Sequence, residues 1–259
     1  MADALTFGLS RSLGREASFG AARDLALLLN SVGFATVQPF DSYQRLERAL
    51  LEGQVDAAWA PPLVCAVVEQ AGGVVALRAI RAGTSEYGAA IVANALTGYT
   101  VSALASLYGM RAAWVDEHSL AGYILPRHSL RHAGVDLDHT FVEHKLLGSY
   151  EACLQAIKDG VCDISACFCS GTGDHVDHGY KKVMGADAGH IRVLMLSAQA
   201  PHDGIALSPM VDEERKTRLR AIFRSLGGIG DTPLARAFDA EGFDEPTPGS
   251  YARLLELID

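Results

Sequence analysis

Ser119 stands where two kinds of spacing meet. Before it, Ala112-Ala113-Trp114-Val115 is an apolar run that reads as a buried strand, and Asp116-Glu117-His118 make a short polar turn. After it, the spacing turns helical and ends near Gly134. Ser119 is therefore placed to cap a helix, followed by the small residues Ala121 and Gly122. The first turn of a helix carries N–H groups without intrahelical acceptors and a partial positive charge, which suits an anion. A glycine at position 122 would let a ligand approach the backbone closely. The same arrangement recurs at Gly148-Ser149-Tyr150-Glu151, opening a helix that ends at Gly160. Two such helix starts point to a pocket for a small anion.

A second group of chemically capable residues is Cys162, Cys167, Cys169, His175 and His178. These types can ligate zinc, but the spacing fits no strong zinc pattern. Alternation along a strand through Cys162–Cys167 would also turn neighbours to opposite faces. Buried thiols pack as small apolar groups, so the expectation is no metal and no cofactor. Cys169 is considered as a nucleophile because it follows the strand. Gly171-Thr172-Gly173 is too short and misplaced for a dinucleotide loop, and no Walker loop, HExxH or GxSxG is present. His128, His132, His139, His144 and His190 are scattered, whereas His118 adjoins Ser119.

The elements that would position these groups alternate. Leu5–Leu9, Ala35–Phe40 and Val55–Trp59 read as strands, separated by helical spacing over Ala21–Val32 and Tyr43–Glu52. Pro61 and Pro62 suit the first positions of the next helix. The second half repeats this pattern, with strands at Ala112–Val115, Phe141–His144 and Asp163–Cys167 and helices at Ser119–His132 and Tyr150–Asp159. Strand Val193–Ser197 and helices Glu213–Leu226 and Ser250–Ile258 complete the chain. Pro126 predicts a kink or a late helix start. The grammar is α/β, with mostly parallel sheets flanked by helices in two lobes. Ligands in such sheets sit beyond the carboxyl ends of strands, where Trp59, Ser119, Ser149 and the turn after Leu9, with Arg11 and Arg15, all fall.

Composition narrows the class. The chain has 259 residues, 49% of them hydrophobic, and a net charge of −9. That describes a globular protein and argues against a general nucleic-acid binder. No apolar run reaches the length of roughly 18 residues that a membrane span needs. Met1-Ala2-Asp3-Ala4 lacks a basic n-region, so the sequence as written reads as cytoplasmic, or as periplasmic after removal of a leader. Five cysteines, an odd number, favour reduced thiols.

In order along the chain, several segments resemble the periplasmic phosphonate-binding proteins of ABC importers, within the type II periplasmic-binding-protein superfamily. These are Leu5-Thr6-Phe7-Gly8-Leu9; Tyr43…Leu46…Ala49-Leu50…Gly53…Asp56-Ala57-Ala58-Trp59; and Tyr87 with Ile91-Val92. They continue with Asp116…Ser119…Gly122-Tyr123…Pro126…Leu130…Gly134; Gly148-Ser149-Tyr150…Ala156…Gly160…Asp163; and Pro201…Asp203-Gly204-Ile205-Ala206. The resemblance covers roughly residues 5–210.

It implies a two-lobed fold with a ligand cleft between the lobes. Lobe 1 would comprise 1–93 plus 194–259 and lobe 2 the inserted 94–193, with hinge crossings near 90–95 and 191–196. It implies an anionic head on the helix start Ser119–Tyr123, pocket tyrosines at Tyr43 and Tyr87, and Asp203 as an acid able to meet a ligand amine. Tyr150 departs from the histidine usual in the family pattern, removing a potential cationic donor and adding a ring. The expected partners are a small anionic ligand (phosphonate, phosphate-like or a related oxoacid) and an ABC permease or a sensor partner. Two other classes remain open at this point. One is a cytosolic enzyme of dehydratase or lyase type acting on a small carboxylate, through Asp116, His118, Ser119, Tyr150 or Cys169. The other is a regulatory module that senses the anion.

Overall fold

The structure, a computed structural model, describes residues 4–10, 19–97, 107–171 and 176–257. The chain opens with β1 (Leu5–Ser10), α1 (Phe19–Ser31), β2 (Phe34–Phe40), α2 (Tyr43–Leu51), β3 (Ala57–Ala60), α3 (Pro62–Gln70), β4 (Val74–Ile80) and β5 (Glu86–Asn94). It continues with β6 (Met110–Trp114), a π-helical turn (Leu120–Ile124), α4 (Leu125–His132), α5 (Leu137–Thr140), β7 (Phe141–Leu146), α6 (Tyr150–Lys158) and β8 (Ile164–Ser170). Next are β9 (Asp177–His178), α7 (Gly179–Met184), β10 (Ile191–Leu196), β11 (Ala200–Pro201) and β12 (Gly204–Leu207). It closes with α8 (Glu213–Leu226), α9 (Pro233–Ala237), β13 (Gly242–Asp244) and a 3-10 turn (Ala252–Leu257).

Two compact units result. Unit 1 is Met1–Ser85 with Pro201–Asp259, and unit 2 is Glu86–Ala200. The chain passes between the units at 85–86 and at 200–201, so that β5 and β10, which pair with each other, both fall inside unit 2.

Unit 1 is built on a sheet of order β13-β4-β12-β3-β1-β2. β1 is parallel to both β2 and β3, as strands joined through a crossover helix are. β12 returns between β3 and β4 and runs against both. β4 was not anticipated: Val74–Ile80 is apolar but follows α3 after Gly72-Gly73, where the helical and strand patterns run together. The helices bury one face each. In α2, Leu46, Ala49 and Leu50 face inward at helical spacing. The core brings Phe7, Phe34 and Phe223 within 5.7–6.1 Å of one another and stacks Trp59 on Phe238 at 4.1 Å.

Unit 2 has a sheet of order β10-β5-β8-β6-β7, with β11 on β5 and β9 on β8. β6 is parallel to β7 and β8, while β5 runs against β8 and β10. Strand alternation sorts side chains into two apolar layers. Ala90, Val92, Ala113, Cys167 and Cys169 join the layer under α6. Ile91, Ala112, Trp114, Ile164 and Ala166 join the other, with Leu130 of α4. The α6 terminus is held by the Asn94 amide, which donates to Ile157 O at 3.1 Å.

Pro126 falls at the opening of α4, after the π turn, so the regular helix does start late. Over Ser250–Ile258 the structure shows a 3-10 turn at Ala252–Leu257 instead of an α-helix; residue 258 lies outside the described residues. Among the described residues no helix is long and apolar enough to cross a membrane.

Candidate functional site

In unit 2 the candidate residues gather at one edge of the sheet. The carboxyl ends of the parallel strands β6, β7 and β8 share that edge. The antiparallel β5 begins there, with Tyr87 opposite Ser170. Ser119 caps the π turn: its backbone is extended and its Oγ accepts from Gly122 N at 3.2 Å. Ser149 caps α6 in the same way, accepting from Ala152 N at 3.1 Å. One residue ties the two starts together. Val115 N donates to Gly122 O at 3.2 Å, and Val115 O accepts from Gly148 N at 2.9 Å. The strand ends thus hold two capped helix starts side by side, each with further first-turn N–H groups that lack intrahelical acceptors.

The polar turn before Ser119 is organised by Asp116. Its Oδ1 accepts from His118 N at 2.8 Å and lies 3.3 Å from His118 Nδ1, while its carbonyl accepts from Ser119 N at 2.9 Å. Asp116 and His118 are exposed and Ala121 is buried. Gly122 has a packing reason to be glycine. A Cβ there would lie 2.6 Å from Val115 Cγ2 and 2.7 Å from Ser119 Oγ, so the space is filled by protein. Tyr123 packs edge-on against Trp114 at 6.1 Å with the Arg127 guanidinium over its ring. The Tyr150 ring meets Phe168 edge-on at 5.3 Å.

Unit 1 has its own carboxyl edge. Tyr43 is the first residue of α2 and half-buried, just after β2. Its helix is capped by Ser42, whose Oγ accepts from Arg45 N at 3.3 Å. Sequence reasoning passed over Ser42, although a serine directly before a helical period is an N-cap signal. Asp203 precedes β12, whose Gly204 pairs with Ala60 at the end of β3. Its carboxylate accepts from Arg81 Nη1 at 3.0 Å. No local pattern announces that partner, which is 122 residues away. Trp59, named at sequence level as a ligand candidate, is only 1% exposed and lies in the core between Phe238 and Phe243. Arg11 and Arg15 lie outside the described residues. A cavity of about 260 Å³ lies beside α2, lined by Gln38, Phe40, Asp41, Arg45 and Arg48 among others, but not by Tyr43 or Asp203.

The cysteine group is interior. Cys162, Cys167 and Cys169 are buried in one apolar layer with Cys153. Burial pushes the Cys169 and Cys153 thiols up to about 11 and raises Cys162 and Cys167 as well. A nucleophilic or metal-bound cysteine needs the opposite shift. Among the described residues no three histidine, cysteine or acidic side chains converge as metal ligands. His175 lies outside the described residues.

Two α/β units, each a helix-flanked sheet with polar helix starts at its carboxyl edge, make the two-lobed fold of periplasmic binding proteins. Residues 34–251 match the family model described as "ABC transporter, phosphonate, periplasmic substrate-binding protein". The chain belongs to that family, so it is a substrate-binding protein of the kind that serves an ABC permease.

Solved structures share the fold. The Xanthomonas citri protein XAC2383, solved with chloride and with ATP, is 19–20% identical, with a TM-score of 0.75 over 98% of this chain and 95% of its own. A binding-protein component of an ABC phosphonate transporter from Pseudomonas aeruginosa is 17% identical, with a TM-score of 0.74 over 98% of this chain and 84% of its own. PhnD1 from Prochlorococcus marinus, in complex with methylphosphonate, is 14% identical, with a TM-score of 0.74 over 98% of this chain and 96% of its own. No curated protein sequence matches the chain.

Proposed function

We propose that the protein binds a small phosphorus oxoanion, a phosphonate or phosphate-like group, for ABC-type uptake. The observation that carries this reading is the pair of serine-capped helix starts, Ser119 and Ser149, tied through Val115 at one sheet edge. Neutral N–H donors fixed by their own secondary structure bind an oxyanion with little reorganisation, and they do so inside a protein of net charge −9. Ser119, Ser149 and the backbone through Tyr123 take the anionic head. His118, Tyr87 and Tyr150 border it.

The enzymatic alternative finds no support at Cys169, Asp116 or His118. Cys169 is held as a thiol, and the Asp116–His118 pair is exposed and engaged within its own turn.

A thermal-shift panel tests the reading. It would include phosphate, phosphite, sulfate, alkylphosphonates, sulfonates and small carboxylates. A ligand at about a hundred times its Kd stabilises the folded state by about 2.7 kcal/mol. Stabilisation by phosphorus oxoanions is expected. Stabilisation by carboxylates alone would overturn the assignment.

A further inference from the structure

We infer that the free edge of β7 is a self-association surface, on which a second copy of this chain lays its own β7 antiparallel to the first. The inference goes beyond the ligand site and needs only the sheet of unit 2.

β7 ends the strand order β10-β5-β8-β6-β7, and among the described residues β6 is its only strand partner. An unpaired strand edge is a template for another chain. The parallel register sets Glu143 beside Arg111, His144 beside Ala112, Lys145 beside Ala113 and Leu146 beside Trp114. Leu147 N donates to Trp114 O at 2.9 Å, so the odd-numbered residues turn their backbone groups to β6. His144 and Leu146 turn theirs to the open edge. Large apolar side chains stand exposed along it, Val142 at 69% and Leu146 at 51%. The register skips a residue at Val142, near the start of the strand, and leaves 143–146 as its regular stretch.

A second copy is the occupant because this edge is complementary to itself. Antiparallel pairing about His144 sets Glu143 opposite the partner's Lys145 and Val142 opposite the partner's Leu146, each twice by symmetry. Opposite residues in an antiparallel pair project on one face, and those whose backbone groups turn away from each other come closest. Glu143 and Lys145 are of that kind. Within one strand they already lie 3.4 Å apart, so the pairing gathers two acids and two bases into an alternating square. Arg111, the neighbouring cation, forks onto Asp163 at 2.9 Å and leaves Glu143 to Lys145. At the two-fold stands His144, whose Nδ1 accepts from Trp114 Nε1 at 3.1 Å. Burial and then the charge of Arg127 lower its pKa, so no like charges meet there at neutral pH. Sliding the register either way to the next same-face pairing would set Lys145 against the partner's Lys145 or Glu143 against the partner's Glu143, which fixes the alignment.

Sedimentation velocity on the full chain without ligand tests this, with the wild type, Lys145→Glu, Glu143→Lys and the variant carrying both changes. The wild type is expected to dimerise reversibly with concentration, and weakly, since the contact is short. Each single reversal sets like charges at both pairs and is expected to weaken dimerisation about tenfold or more, with circular dichroism unchanged. An equal mixture of the two single variants is expected to recover the dimer, because one chain then brings two acids and the other two bases. The double variant exchanges the charges and is expected to dimerise within about threefold of the wild type. A wild type that stays monomeric at its highest soluble concentration would overturn the inference. So would a dimer that the single reversals leave unchanged, or one that neither the mixture nor the double variant restores. None of these outcomes bears on the anion reading.

Discussion

Gly122→Ala is the substitution whose cost the structure states most directly. The added methyl would lie 2.6 Å from Val115 Cγ2, 2.7 Å from Val115 Cβ and 2.7 Å from Ser119 Oγ. Carbon atoms rest at about 3.5–4.0 Å, so one side must move. Val115 cannot yield easily, because its N–H and carbonyl are held by Gly122 O and Gly148 N. Overpacking of this kind costs about 1–3 kcal/mol. Displacing Ser119 Oγ from Gly122 N removes a cap worth about 1 kcal/mol more. The expected loss is therefore about 2–4 kcal/mol, read from the urea midpoint at unchanged slope. In a Val115→Gly background both Val115 side-chain contacts are gone and only the one with Ser119 Oγ remains. The same glycine substitution should then cost at least about 1 kcal/mol less, measured as a double-mutant cycle. A Gly122→Ala protein within about 0.5 kcal/mol of wild type, or an equal cost in both backgrounds, would refute the packing argument.

Two further outcomes follow from other parts of the molecule. His202 has its pKa pushed from 6.5 to about 3, first by burial and then by Arg81 and Arg78. Between those values the unfolded chain takes up a proton that the folded chain refuses. Stability is thus fully present above about pH 6.5 and falls on acidification by up to about 1.4 kcal/mol per pH unit. His202→Gln should flatten that slope between about pH 6.5 and 5, before carboxylates titrate, and an unchanged slope would contradict it. The five cysteines are all buried and free, with thiols raised by burial at Cys65, Cys153, Cys162, Cys167 and Cys169. A disulfide exchange reagent at neutral pH should label none in the native protein and all five in denaturant; rapid native labelling of any one would show an opening that the packing denies.

The fold was legible wherever local spacing and global packing agree. The capped helices at Tyr43 and Tyr150 and the helix Glu213–Leu226 stand where the sequence put them, since a capping residue and one apolar face fix each. β4 was missed because its apolar run follows an equally apolar helix, and β13 because a three-residue strand has no periodicity to read. At the site, the serine caps were visible because capping is local. The roles of Gly122 and Asp203 were not. Each depends on a side chain delivered by topology, Val115 across the strand end and Arg81 from a distant turn. Trp59 shows the limit from the other side: a strand-end aromatic can lie against a lobe's core as readily as at its edge, and α9 and β13 supply the rings that cover it.

Titration calorimetry of the wild type and Ser119→Leu with phosphate and methylphosphonate tests the central claim most directly. Saturable binding of a phosphorus oxoanion by the wild type is predicted, with affinity lost by about a hundredfold or more in a Ser119→Leu protein that keeps its native circular dichroism. Undiminished affinity in the folded variant, or no binding of either anion by the wild type, would contradict it.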